Sequence, residues 1–196
     1  MPLLRKHIQN DVIVGLWKIS DYDMVSQNDP YVLWVTLEAE SMFRSAIRRK
    51  EYVAERILLR EIFNGKELNI EHNADGKPFI ANGYNISISH TRGYVAIIVS
   101  DKHEVGIDIE YINDRVCKIA NRFMREDEHA DNIISLIVHW CAKETVYKLF
   151  SADHLELCEI KVDSDTLANV TNMRSGAVAR LIVETTSEYV LTYSFI

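Results

Sequence analysis

The stretch Val105-Gly-Ile-Asp-Ile-Glu110 is the part of the chain that best predicts its fold and its chemistry. Because the side chains of an extended strand alternate between two faces, its aliphatic residues lie on one face, and Gly106, Asp108 and Glu110 lie on the other. Two carboxylates on one strand face offer oxygen ligands to a hard divalent cation. On its own, the hexapeptide is equally compatible with an amphipathic strand whose acidic face is solvated.

A second stretch, Trp140-Cys-Ala-Lys-Glu-Thr-Val-Tyr-Lys148, favours the first interpretation. On a helix over residues 131–150, at about 100° per residue, Glu144 lies within an apolar stripe and Lys148 follows one turn later. A carboxylate on an apolar face is costly unless it is paired or binds a metal, whereas a simple surface Glu–Lys pair belongs on the polar face. The predicted stripe consists of Ile133, Leu136, Ile137, Trp140, Cys141 and Tyr147.

Periodicity and turn residues predict the other elements. Residues 36–63 contain no Gly or Pro and predict two helices joined near Arg48-Arg-Lys50. The run 94–100 is apolar throughout, which predicts a strand buried on both faces, and the loop 101–104 is expected to form a hairpin that places 105–110 beside it. The acidic strand face would then lie in a cleft. The other predicted strands are 12–19, 67–72, 85–89, 158–162, 178–185 and 189–196.

Composition narrows the class of protein. The chain has 196 residues, of which 47% are hydrophobic and 26% are charged, as in a soluble globular protein. We expect no membrane association, since there is neither an apolar run of about 18 residues nor a signal peptide. The net charge of −7 argues against a nucleic-acid binder. Three cysteines without metal-type spacing, Cys117, Cys141 and Cys158, predict reduced thiols and a cytoplasmic location.

The motifs resemble a known enzyme family. Gly-Ile-Asp-Ile-Glu followed by Trp-x-x-Lys-Glu-x-x-x-Lys is similar to the paired signature of the 4′-phosphopantetheinyl transferases. Upstream, Gly76-Lys-Pro78 and Ile86-Ser-Ile-Ser-His90 match two further motifs of that family's larger, surfactin-synthetase-activating type. Each motif is short, but four of them in the family's order over residues 76–148 make a specific match.

This resemblance implies a fold and a reaction. The fold is α+β, with two similar halves related by a pseudo-twofold axis and the active site at their interface. Residues 1–100 would form the half that anchors coenzyme A, and residues 101–196 the half with the metal and catalytic residues. The reaction transfers the 4′-phosphopantetheine group of coenzyme A to a serine of an apo acyl or peptidyl carrier protein. A monomer is expected, and the type of carrier is left open.

The resemblance also assigns roles to individual residues. The expected Mg²⁺ ligands are Asp108, Glu110 and Glu144. Glu144 is the expected general base, directly or through a water, Lys148 would stabilise the leaving phosphate, and Asp108 counts with them as a catalytic residue. The expected coenzyme-binding residues are Arg56, Gly76, Lys77, Pro78, Ser89, His90 and Lys148, of which Arg56 is aligned to a 3′-phosphate contact.

Two further expectations concern acidic residues. Glu128 is expected either near the site or as an ordinary acid at a helix N-terminus. Three carboxylates in one cleft would repel one another without a metal, so Asp108→Asn is expected to raise the melting temperature of the metal-free protein.

Other function classes stay open at this stage. A magnesium-dependent hydrolase or kinase could use the same three carboxylates, although the sequence lacks the glycine-rich phosphate loops of the common nucleotide-binding families. A catalytically silent module could bind carrier proteins without turnover, although buried charges are costly to keep without a function. A purely structural α+β protein is the third alternative. Transfer to an apo carrier distinguishes the enzyme from all three.

Overall fold

The structure, a computed structural model, describes residues 3–19, 28–74, 76–81 and 83–196, with side chains from residue 7 onward. It confirms the predicted mixture of helices and strands. The helices are α1 (Pro30–Met42), α2 (Ala46–Ile62) and α3 (Ile133–Leu149), and the strands are β1 (Leu3–Gln9), β2 (Val12–Lys18), β3 (Ile70–His72), β4 (Pro78–Ile80), β5 (Tyr84–Thr91), β6 (Tyr94–Ser100), β7 (Val105–Tyr111), β8 (Ile160–Val162), β9 (Asn169–Asn172), β10 (Val178–Arg180), β11 (Ile182–Thr185) and β12 (Tyr189–Phe195).

The first sheet is antiparallel and six-stranded, in the order β1-β2-β6-β5-β4-β3. β6 lies in its centre and every one of its residues is buried, as its continuous apolar run predicts. Helices α1 and α2 cover one face of the sheet through a core that includes Trp17, Val35, Leu58 and Ile97. The sequence analysis did not predict β1, which precedes the expected first strand.

The two predicted helices are present, but their junction lies earlier than expected. Ser45 is the N-cap of α2, because its hydroxyl accepts a hydrogen bond from the backbone N–H of Arg48. Arg48-Arg-Lys50 therefore begins a helix instead of ending one, and the prediction of a junction there was wrong. Glu51 and Glu55, one and two turns on, bind the Arg48 guanidinium and offset its unfavourable place near the helix N-terminus.

Strand β7 does not pair with β6, so the predicted hairpin is wrong. Both edges of β6 are already occupied, by β2 and by β5. β7 pairs instead with β12, in a second sheet of order β11-β12-β7. Its free edge faces β5, whose hydroxyls replace a strand ladder: the N–H groups of residues 107, 109 and 111 donate to Ser87, Ser89 and Thr91 at 3.2, 3.3 and 3.1 Å.

The two faces of β7 are divided as the alternation predicts. Val105, Ile107 and Ile109 pack against apolar residues of β2 and β6, which joins the first and second sheets. The other face lies under α3. A Cβ atom on Gly106 would stand 2.2 Å from the carbonyl oxygen of Thr145, so only glycine allows α3 to lie this close to the strand.

Helix α3 is covered on two sides, because the third sheet, β10-β9-β8, packs on the face turned away from β7. The predicted single apolar stripe is therefore wrong in part. Tyr147, placed within that stripe, is 43% exposed, whereas Lys143, placed outside it, is completely buried. No helix in the described ranges combines the length and apolar character needed to cross a membrane.

Candidate active site

Asp108 on β7 is the point at which three of the predicted motifs meet. Its Oδ1 accepts a hydrogen bond from the hydroxyl of Ser89 on β5 at 2.7 Å. The same oxygen forms an ion pair with the ammonium of Lys148 on α3, also at 2.7 Å. Lys148 also donates to the Ile107 carbonyl oxygen at 3.0 Å, which fixes its ammonium over the strand. A strand of the first sheet, a strand of the second sheet and α3 together position this cluster.

The second carboxylate oxygen of Asp108 differs from the first. Oδ2 is buried, and among the residues that the structure describes it accepts no hydrogen bond of ordinary geometry; Asp108 as a whole is only 4% exposed. A buried acceptor without a partner costs about 1–3 kcal/mol, and more when it is charged. Such an oxygen is suited to a cation, and carboxylate oxygens are the ligands that Mg²⁺ prefers. Asp108 therefore offers one oxygen to the metal that the family resemblance implies.

Glu110, two residues further along β7, is held by Trp140 of α3. The indole N–H donates to Oε1 at 2.8 Å. Burial, followed by the negative charge of Asp108, raises the pKa of Glu110 to about 7, although the Trp140 hydrogen bond works in the opposite direction. The crowding of negative charge expected from the sequence thus affects Glu110, although Lys148 forms an ion pair with Asp108 itself.

Glu144 and Lys148 lie one turn apart on α3, as predicted. Burial and the nearby Asp108 charge raise the pKa of Glu144, which makes it a stronger base than an exposed carboxylate. Burial alone would lower the pKa of Lys148, but the Asp108 charge outweighs it and the pKa is raised, so this lysine stays protonated. Glu144 lines a groove of about 340 Å³ whose other walls include Arg122, Tyr147 and Leu157.

The structure does not gather the three carboxylates into one ligand set. Within the described residues, no three or more His, Cys, Asp or Glu side chains stand close enough together to hold a metal ion. Glu110 is turned toward Trp140, and Glu144 toward the groove just described. The set Asp108, Glu110 and Glu144 therefore stays a prediction.

The Gly76-Lys-Pro78 motif meets α3 across a cleft of about 250 Å³. The cleft is lined by Gly76, Lys77 and Pro78, by residues 86–88 of β5 and by Lys148 of α3. A tight turn presents Lys77, since the Asn73 side chain accepts from the Lys77 backbone N–H at 2.8 Å. Gly76, with φ of +79°, adopts the left-handed conformation that favours glycine.

Three other residues expected at the coenzyme lie in different surroundings. Ser89 is buried and donates to Asp108. His90 is half-exposed and lies 3.3 Å from Glu51 and 3.6 Å from Glu55 of α2. Arg56 stacks on the Tyr52 ring, 3.2 Å from its centre, in a separate pocket of about 300 Å³. The structure thus does not bring Arg56 to the cleft that Lys77 and Lys148 share.

Sequence analysis missed a second lysine–carboxylate pair on α3. Lys143 binds Glu128 at 2.9 Å, and neither side chain is exposed at all. Lys143 also donates to the carbonyl oxygens of Leu157 and Ile160, and Glu128 accepts from the backbone N–H of Val162. The pair fixes β8 and the preceding loop against α3, so the contacts of Glu128 stabilise the packing of these elements. The sequence feature that could have revealed this pair is Lys143, the lysine of the Trp-x-x-Lys-Glu motif.

Comparison with known proteins points to one family. Residues 104–194, slightly less than half of the chain, match the model of the 4′-phosphopantetheinyl transferase superfamily. The predicted resemblance is confirmed. The matched region contains β7 and α3, and therefore Asp108, Glu110, Glu144 and Lys148, whereas the cleft wall of the first half lies outside it.

Two curated relatives agree with this match. The 4′-phosphopantetheinyl transferase gsp of Aneurinibacillus migulanus is 37% identical over 84 residues, which cover 39% of this chain and 35% of that protein. The 4′-phosphopantetheinyl transferase psf-1 of Bacillus pumilus is 29% identical over 115 residues, which cover 55% of this chain and 49% of that protein. The matched regions thus span about a third to a half of these relatives.

Proposed function

We propose that this protein transfers the 4′-phosphopantetheine group of coenzyme A to a serine hydroxyl of an apo acyl or peptidyl carrier protein. The products are the holo carrier and adenosine 3′,5′-bisphosphate. The observation that supports this most strongly is the junction at Asp108, where one carboxylate binds Ser89 and Lys148 and keeps a second oxygen free of hydrogen bonds. The match of residues 104–194 to the transferase superfamily supports the same reaction.

The coenzyme occupies the cleft between the Gly76-Lys-Pro78 turn and α3. Lys77 and Lys148 both line this cleft, so each supplies a positive charge to a pyrophosphate placed there. In this assignment residues 1–100 supply one wall and residues 101–196 supply the carboxylates. Ser89 acts through Asp108, whose orientation it fixes.

Asp108 and Glu110, with Glu144, are the proposed Mg²⁺ ligands. Bound Mg²⁺ supplies charge neutralisation and orientation at the pyrophosphate. Ser89 and Lys148 both bind Oδ1 of Asp108, which leaves the buried Oδ2 for the metal. Trp140 holds Glu110 in the same way through one oxygen and leaves the other available.

Glu144 is the proposed base for the carrier's serine. Its raised pKa lets it take the hydroxyl proton while the serine oxygen forms a bond to the phosphorus next to the pantetheine arm. The bond from that phosphorus to the bridging oxygen breaks, and the electron pair leaves with adenosine 3′,5′-bisphosphate. Lys148, protonated and one turn from Glu144, stabilises the charge on the departing oxygen.

The test is intact-mass analysis of several apo carriers, of fatty-acid, polyketide and peptide-synthetase type, incubated with the protein, coenzyme A and Mg²⁺. We expect at least one carrier to gain the mass of one phosphopantetheine, and excess chelator to prevent the gain. If coenzyme A is hydrolysed and no carrier changes mass, the protein is a hydrolase. If coenzyme A binds but is neither transferred nor cleaved, the protein is a silent binding module.

A further inference from the structure

Lys77, proposed to bind a coenzyme phosphate, is bound by a carboxylate of the protein itself. Its Nζ lies 2.6 Å from Oε2 of Glu104, a residue of the loop between β6 and β7. The pair connects the turn before β4 with the start of β7, and so connects the first sheet with the second. A carboxylate on a lysine ammonium has the same charge sign and hydrogen-bonding role as a phosphate oxygen.

The backbone on both sides of this ion pair is firmly held. Glu104 exchanges two backbone hydrogen bonds of 3.1 Å with Ile196, and the neighbouring carbonyl of His103 accepts from Asn85. Lys77 is fixed by the two hydrogen bonds that its backbone N–H and carbonyl make with Asn73. Any change in the pair must therefore come from the side chains.

The two side chains differ in exposure. That of Lys77 is 19% exposed, whereas that of Glu104 is 48% exposed. The Glu104 side chain can thus rotate into water more readily than the Lys77 side chain. By contrast, the carboxylates beside His90 belong to Glu51 and Glu55, whose side chains are 13% and 7% exposed and also bind Arg48. Among these acidic partners, Glu104 is the one suited to displacement.

Lys77 also stands where two cavities meet. It lines the cleft shared with Lys148 and a neighbouring groove of about 520 Å³ that Glu104 lines as well. Because Lys77 and Lys148 line the same cleft, a donor whose pyrophosphate binds there offers an anionic group to both lysines. Glu104 approaches the same ammonium from the groove side.

We propose that Glu104 competes with the coenzyme phosphate for Lys77 and so sets the affinity of the protein for its donor. This inference rests on the proposed function, since it requires coenzyme A in the cleft. When the coenzyme binds, its phosphate replaces the Glu104 carboxylate on Lys77. The attraction between the phosphate and Lys77 is therefore partly offset by the loss of the Glu104 ion pair. The pair is partly exposed, so its influence on affinity is about two- to fivefold.

The experiment measures the dissociation constant of coenzyme A by calorimetry, without turnover, for four proteins. They are the wild type, Glu104→Gln, Lys77→Ala and the double variant Lys77→Ala/Glu104→Gln. We expect Glu104→Gln to tighten coenzyme binding by about two- to fivefold when Lys77 is present. In the Lys77→Ala background the same substitution should have no effect, because the cycle isolates the coupling of the two residues.

A matched control separates competition for Lys77 from a general loss of negative charge. Asp101 lies in the same loop, and no ion pair joins it to Lys77 in the described part of the chain. Asp101→Asn removes one charge and should leave the dissociation constant within about 1.5-fold of the wild type, since exposed charges at a distance are screened by salt.

The outcomes are distinguishable from a failure of the proposed function. If the wild type binds no coenzyme A, the proposed function fails, and this inference fails with it. If the wild type binds and Glu104→Gln binds equally well or more weakly, Glu104 is a structural link that positions Lys77, and only this inference is overturned. The inference is also overturned if Asp101→Asn binds coenzyme A as much more tightly as Glu104→Gln does. The same holds if Glu104→Gln still tightens binding in the Lys77→Ala background.

Discussion

Helix α3 carries two lysine–carboxylate pairs that look alike in sequence and differ in structure. Lys143 and Glu128 are completely buried, and every polar atom of their contact has a backbone or side-chain partner. Lys148 lines a cleft and is 26% exposed, and one oxygen of Asp108 accepts no hydrogen bond from the part of the chain that the structure describes. The Lys143–Glu128 pair therefore holds β8 against α3, whereas the Lys148–Asp108 pair leaves one carboxylate oxygen able to bind a ligand.

This difference shows that burial of a charge does not by itself identify a functional site. Both lysines lie within one signature motif, and desolvation acts against the charged form of each. In the closed pair, burial lowers the pKa of Lys143 although Glu128 raises it. What separates the pairs is the unpartnered acceptor beside an accessible cleft, since a satisfied ion pair has nothing left to bind a ligand.

The largest effect should follow from breaking the closed pair. Lys143→Met leaves Glu128 charged and buried, so the free energy of unfolding should fall by about 3–5 kcal/mol. Adding Glu128→Gln, which still accepts the Val162 N–H, should recover a large part of this loss. Urea denaturation followed by circular dichroism measures both values. A loss below about 1 kcal/mol for Lys143→Met would mean that water reaches this pair.

Breaking the open pair should affect catalysis more than stability. Lys148→Ala should lower kcat by about 100-fold, because it removes the charge proposed to stabilise the leaving phosphate. The unfolding free energy should fall as well, because the Asp108 carboxylate is buried and would lose its cationic partner. Carrier modification followed by mass spectrometry gives the rate. A near-native kcat would show that Lys148 and Asp108 form a structural pair like Lys143 and Glu128.

Glu110 should make stability depend on pH. Its pKa is about 7 in the folded protein and near 4.5 in the unfolded chain, so the folded protein binds the extra proton between these values. The stabilisation is complete below pH 4.5 and is lost as the pH rises through about 7. Without metal, Glu110→Gln should therefore be more stable than the wild type at pH 8, by about 2 kcal/mol, and should gain little at pH 5.

Thermal melts of the two proteins across pH 5–8 in chelator measure this difference. Glu40→Gln is the control, because Glu40 is an exposed residue of α1 and its loss should shift nothing. Parallel melting curves for the wild type and Glu110→Gln at every pH would show that Glu110 titrates normally.

The smallest effect concerns Asp108 itself, and the structure reverses the expectation drawn from sequence. Lys148 and Ser89 stabilise the Asp108 carboxylate, so Asp108→Asn without metal should lower the unfolding free energy by about 1 kcal/mol instead of raising it. Melts in chelator measure the change. A higher melting temperature would mean that repulsion from Glu110 exceeds the attraction of Lys148.

Local sequence pattern was enough for most elements and for the motif residues, although it missed β1, β4 and β9. Alternation over 105–110 correctly divided the two faces of β7, the apolar run of β6 predicted its burial, and the spacing of Glu144 and Lys148 put them on adjacent turns of α3. These predictions succeeded because the period of a strand or helix is a property of its own backbone. The family resemblance came from the same short segments.

Only the tertiary structure decided which elements meet. β7 pairs with β12 because β2 and β5 already occupy both edges of β6, and no local pattern records which edges are free. Lys143 is buried because a third sheet covers α3 from the far side, so periodicity counted from one apolar face misjudged it. Ser89 reaches Asp108 because β5 lies along the free edge of β7. Such contacts join residues far apart in the chain, and their stability depends on the packing of the whole molecule, which sequence periodicity does not contain.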